Sequence, residues 1–173
     1  RVDRLRAFWE TICANPIEWP VNEGLAEGLP FTMDLRSAHN IAAATRALLM
    51  GQSGFFKPRF PPPFLSLFSG DAATSFYDTA PLRDTLNRLV DFDRLNSGDV
   101  RVSIGAVNIR CGNLVYFDTA ERRLRAEHFM ASGALPPGFP AVEIDGEYYW
   151  DGGMVSNTPL TRVLASEPRR DTL

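Results

Sequence analysis

The segment that most constrains this chain is Ala141 to Trp150, where Asp145-Gly146 stands between Ala141 to Ile144 and Glu147 to Trp150. An Asp-Gly pair between two such runs supplies the positive-φ residues that a tight two-residue hairpin turn demands. The segment therefore predicts an antiparallel hairpin whose second strand delivers Asp151 at its end, followed by Gly152-Gly153. A carboxylate that leaves a strand and meets two residues without side-chain bulk permits a sharp backbone turn and the close approach of another group. Asp-Gly-Gly is equally common in ordinary turns. Taken alone, the tripeptide leaves both readings open.

The remaining periodicities predict a mixed α/β chain. Val100, Val102, Ile104 and Ala106 alternate with more polar residues, and Leu114 to Phe117 forms a second strand after a turn centred on Cys111-Gly112-Asn113. Leu82, Leu86, Leu89 and Val90 mark a helix entered at Pro81, which Phe92 and Leu95 extend until Asn96-Ser97-Gly98 stops it. Ala38 to Met50 is a helix closed by Gly51, and Val2, Leu5, Trp9 and Ile12 form one face of an opening helix. Asn15-Pro16 and Trp19-Pro20 interrupt that helix, and Val21 to Thr32 is expected as loop. At the far end Asn157 or Thr158 caps a helix begun by Pro159. From Gly51 to Gly70, four prolines and seven apolar residues that include Phe55, Phe56, Phe60, Phe64 and Phe68 exclude a regular element throughout. Such a stretch either covers a hydrophobic pocket or is a long connection fastened by its own aromatic packing. With 173 residues, 45% of them hydrophobic, the chain is expected to form one domain spanning 1–173.

Charge and cysteine content narrow the function classes. Eighteen basic and 21 acidic residues give a net charge of -3 with no long run of either sign, so a nucleic-acid partner is not expected. Cys13 and Cys111 do not make a disulfide framework, and His39 and His128 lack partners at metal or triad spacing. No cofactor is expected. No apolar run approaches the roughly 20 residues needed to cross a bilayer, and no secretory signal opens the chain. The expected location is cytoplasmic or peripheral to a membrane. Arg122, Arg123 and Arg125 form a small basic patch, read either as a solvated loop or as a contact for anionic headgroups.

The order of several segments goes further than any one of them. Ala131-Ser132-Gly133-Ala134-Leu135-Pro136, then the hairpin, then Asp151-Gly152-Gly153, then Asn157 and Pro159 resembles the C-terminal signature of patatin-like phospholipases. Val107-Asn108-Ile109-Arg110-Cys111-Gly112 is similar to that family's preceding strand and turn, and Tyr77-Asp78-Thr79-Ala80-Pro81-Leu82 to its Pro-Leu helix entry. The resemblance runs from about Phe76 to Leu164, with a looser likeness of Arg1 to Glu10 to the helix downstream of the nucleophile elbow. The Phe/Pro stretch has no assigned counterpart. The resemblance implies a three-layer α/β/α fold and a lipid acyl hydrolase that uses a serine and an aspartate with no histidine between them. Asp151 would be the base, Gly152 and Gly153 would shape its turn, and Asn157 would orient the loop. A lipid or acyl-ester substrate and peripheral membrane contact follow from the same likeness. A free aspartate titrates near about 3.9. A basic role therefore demands partial burial or a very close serine.

Two parts of such a site are missing from the sequence: a Gly-x-Ser-x-Gly elbow and a glycine-rich oxyanion loop. Gly51-Gln52-Ser53-Gly54 has the wrong spacing and follows a helix, and Ser132 lies among small residues of a structural turn. The expectation is a partial patatin-like domain, truncated before its first strand, inactive alone and prone to self-association through an exposed sheet edge. The competing expectation is a non-catalytic lipid-binding or interaction module that keeps the fold without the nucleophile.

Overall fold

The computed structural model describes residues 2–13, 35–63, 75–158 and 160–165. The expected loop at Val21 to Thr32, the Phe64 to Gly70 part of the Phe/Pro stretch and the Pro159 helix start lie outside the described residues. The chain divides into two compact units, Arg1–Leu89 and Val90–Leu173.

In the first unit, helix α1 (Val2–Ile12) packs against α3 (Ala80–Leu89). Its apolar side chains stay largely in solvent: Val2 is 70%, Leu5 60% and Trp9 55% exposed. Helix α2 (Leu35–Met50) stops where expected. Gly51 takes φ +81° and its N–H donates to the Ala47 carbonyl, which closes the last turn as a glycine can without Cβ strain. The chain then folds back through Gln52 and Phe56, and strand β1 (Lys57–Pro58) pairs antiparallel with β2 (Tyr77–Asp78). The described start of the Phe/Pro stretch packs within this unit, since the Phe56 ring meets Tyr77 at 4.7 Å and the Tyr77 hydroxyl donates to the Leu48 carbonyl. Phe60 instead points into solvent. The Asp78 carboxylate accepts from the Ala80 N–H at the start of α3 and pairs with Lys57 at 3.3 Å. The helix entry predicted at Pro81 is thus anchored one residue earlier.

The second unit opens with a correction. The apolar face predicted to run unbroken from Leu82 to Leu95 is split: α3 ends at Leu89, and a separate short helix α4 (Phe92–Leu95) follows. Asp91 is the reason. Its carboxylate accepts from the Arg94 N–H and caps a new helix, the competition between side chain and helical backbone that makes Asp a poor interior residue.

Beyond it stands an antiparallel sheet of order β4-β3-β6-β5, from β3 (Ser103–Asn108), β4 (Leu114–Asp118), β5 (Val142–Ile144) and β6 (Glu147–Asp151). Both predicted hairpins are present. In the second, Asp145 and Gly146 have φ +53° and +81°, the double positive-φ turn that the Asp-Gly pair implied. In the first, the Asn108 side chain accepts from the N–H groups of Arg110 and Cys111 and holds the turn. Directly paired residues share a face, which puts Ile104, Ala106, Phe117, Val142, Ile144 and Tyr149 together on one side. Helix α5 (Ala126–Ser132) packs onto β3, β5 and β6, with His128 edge-on to the Phe117 ring at 4.7 Å. Ala106, Phe117, Leu124, Ala126, Ala131 and Ile144 are almost fully enclosed there. The architecture is α/β, as expected.

Candidate functional site

Asp151 is the last residue of β6, directly opposite Ala106 of β3. The backbone turns at once, since Gly152–Met154 form a single 3-10 turn for which Asp151 is the cap. Its Oδ1 accepts from the Gly153 N–H at 2.7 Å, and among the described residues nothing bonds Oδ2. Further along, the N–H groups of Val155 and Ser156 both donate to the Gly152 carbonyl, which tightens the loop. The side chain of Asp151 is half-buried. By strand alternation it shares a face with Tyr149, whereas Tyr148 and Trp150 point to the opposite side.

The two glycines have different reasons. A Cβ on Gly152 would lie 2.6 Å from the Gly105 carbonyl oxygen and 3.1 Å from the Ala106 nitrogen. That is the backbone of β3, so no side chain fits without moving the strand. A Cβ on Gly153 would lie 3.1 Å from Asp151 Oδ1 and 3.4 Å from Asn157 Oδ1. The bare face of Gly153 is therefore where the Asp151 and Asn157 side chains converge. Asn157 is exposed, and its amide oxygen faces Gly153.

The segment Ala131 to Pro136 reaches this turn directly. Helix α5 ends at Ser132, Gly133 closes it, and the Ala134 carbonyl then accepts the Asp151 N–H at 3.1 Å. Ala131 and Ala134 are buried, and their small side chains let the segment lie close to the strand end. Sequence alone did not reveal this bond, because it joins positions separated by a whole hairpin. Gly105 was also missed. Its signal was a glycine interrupting an alternating strand, which often marks close backbone approach.

The other candidates lie elsewhere. Arg122 and Arg125 pair with Asp145 at 3.3 and 3.4 Å, and Arg123 with Asp93 at 2.7 Å, so the basic patch is interleaved with carboxylates. His128 is buried, accepts the Arg125 N–H through Nδ1 at the start of α5, and has its pKa pulled below the ordinary value by burial, opposed only in part by the nearby Arg125 carbonyl oxygen and the Asp145 charge. Gly51-Gln52-Ser53-Gly54 is the turn after α2, beside a cavity of about 220 Å³ also lined by Glu10, Cys13 and Arg46. That cavity belongs to the first unit and contains none of the candidate site residues. Both cysteines are free thiols on the surface. Among the described residues no helix is long and apolar enough to cross a membrane.

A strand-end aspartate, a double-glycine turn and a small-residue segment bonded to it thus stand together on an α/β frame. The chain belongs to the patatin-like phospholipase family, whose model matches residues 23–164. The match passes through the Phe/Pro stretch for which the sequence offered no counterpart, and it begins after α1. Membership carries a lipid acyl hydrolase type of function and a lipid substrate. Comparisons with curated proteins and with solved structures give no match.

Proposed function

We propose that this chain carries the general base of a Ser–Asp lipid acyl hydrolase, and that the base is Asp151. The observation that supports it is the restraint on that one carboxylate. Its backbone N–H is tied to Ala134, one oxygen is tied to Gly153, and the second oxygen is left unbonded. A base must present one lone pair in a fixed direction while the rest of the group is held. The unbonded Oδ2 accepts the proton of a serine hydroxyl as that oxygen attacks an acyl carbonyl, and the carboxylic acid so formed returns the proton to the leaving alcohol. The bare side of Gly153 leaves room for the Asp151 and Asn157 side chains to converge, which supports a role for Asn157 in orienting the loop. The 173 residues hold no Gly-x-Ser-x-Gly, so the serine of this reading is to be sought in polypeptide outside them. Peripheral contact with lipid surfaces belongs to the same reading.

The test is hydrolysis of a chromogenic acyl ester by the full-length protein with and without Asp151→Asn. The expected loss in kcat is about 10²- to 10⁴-fold, the usual share of a positioned general base. Labelling by a serine-reactive phosphonate should fall in parallel. A variant that hydrolyses at the unmodified rate excludes Asp151 as the base.

A further inference from the structure

We infer that Arg162 is a positioning residue for Asp151, an inference that rests on the proposed role of that aspartate. Arg162 lies on α6 (Leu160–Ala165), the helix that follows the Asp151 loop. Its guanidinium carbon lies 5.2 Å from the centre of the Tyr116 ring, and Nη2 is 3.5 Å from Asp118 Oδ2 and 3.4 Å from Glu121 Oε1. Its Nε is buried without a hydrogen-bond partner.

This arrangement is not what Asp118 needs for its own sake. That carboxylate is 1% exposed and already holds both oxygens against Arg101 Nε at 3.0 Å, with the Ala120 N–H donating to Oδ1. A second guanidinium brought beside the first meets like-charge repulsion and leaves a buried N–H unmade, which costs free energy. The compensation is attachment of the helix: Arg162 fastens α6 to β4 through an ion pair and a cation–π contact.

The attachment continues to the site by packing. A Cβ on Gly105 would sit 3.4 Å from the Tyr116 ring, so that ring lies against the bare backbone of β3. The carbonyl of the same Gly105 abuts Gly152, the residue after Asp151. Arg162 therefore acts on the Asp151 turn from two directions. It anchors the downstream end of the loop through α6, and it presses Tyr116 onto the strand segment that backs Gly152.

The test pairs amide hydrogen exchange with kinetics in the full-length protein. Arg162→Gln should speed exchange of the Gly153, Val155 and Ser156 amides about tenfold, leave the β3–β4 hairpin amides unchanged, and lower kcat with KM unaltered. Tyr116→Ala, which removes a side chain of that hairpin, should speed exchange of the same three amides together with its own strand. Tyr116→Phe, which keeps the ring, should behave as the unmodified protein. Unchanged exchange at Gly153, Val155 and Ser156 in Arg162→Gln overturns the inference, and so does faster exchange spread equally over the hairpin, which would mark Arg162 as a general stabiliser. If exchange responds as expected while Asp151→Asn hydrolyses normally, the clamp stands and the base assignment falls.

Discussion

Gly152, next to the candidate aspartate, and His128, away from it under the sheet, show how differently single residues can matter. At Gly152 a methyl group would collide with backbone, which cannot rotate out of the way as a side-chain tip can. Gly152→Ala should therefore push β6 off β3 and cost on the order of 2–4 kcal/mol, in the range of core overpacking and above. A melting curve superimposable on the unmodified one would show that the strands do not lie that close. His128 is a matter of protonation. Burial holds its pKa below the ordinary 6.5, so the unfolded chain takes up its proton first as pH falls. The stability it contributes is present above about 6.5 and is lost from there down to the folded pKa, at no more than about 1.4 kcal/mol per pH unit for one proton. His128→Gln keeps an acceptor for the Arg125 N–H, a pairing that capping boxes favour at that position, and removes the titration. Urea unfolding at a series of pH values should give a flatter profile for this variant between 7.5 and 5.5. Equal slopes for the two proteins would remove His128 from the acid response. The site itself was only partly legible at this scale: Asp151, Gly152, Gly153 and Asn157 stand out in sequence, whereas Ala134, Gly105 and Arg162 reach them through contacts between distant positions.

The elements were most legible where local chemistry decides them. Asp145-Gly146 dictates a hairpin because the turn conformation needs residues that accept positive φ, and no long-range contact is required to choose it. Gly51 ends α2 for a related local reason. The break between α3 and α4 was not foreseen, because the apolar spacing of Leu82, Leu86, Leu89, Phe92 and Leu95 continues past Asp91 and periodicity ignores a cap. Asp91→Ala should cost about 0.5–2 kcal/mol of stability in the second unit, measurable by urea titration of melting. Gly146→Ala should cost about 1–2 kcal/mol through left-handed backbone strain alone, since nothing lies within 4 Å of its missing Cβ. The contrast with Gly152→Ala is the informative part. Gly146→Ala should leave the β6 amides protected and hydrolysis unaltered, whereas Gly152→Ala should disturb both.

At the scale of the whole molecule, the α/β class and the family follow from the order of segments, and the division into two compact units does not. The second unit buries its sheet under α5 with a nearly closed core. In the first, the apolar stripe of α1 and the Ile41, Leu48, Leu49 and Met50 side chains of α2 remain exposed. Amphipathic spacing identifies such stripes in sequence but cannot say what covers them. Apolar area left in water is a driving force for association, at about 25 cal/mol for each Å² removed. Light scattering of the 173-residue chain should therefore show an apparent mass that rises with concentration, and Leu5→Glu with Trp9→Glu should reduce the rise by placing charges in the α1 stripe. A carboxylate at position 9 faces Arg6 three residues before it, whereas carboxylates at 5 and 9 stand four apart and repel, so circular dichroism should check that the helix persists in the variant. A concentration-independent monomer before any substitution would show that the exposed stripe does not drive self-association.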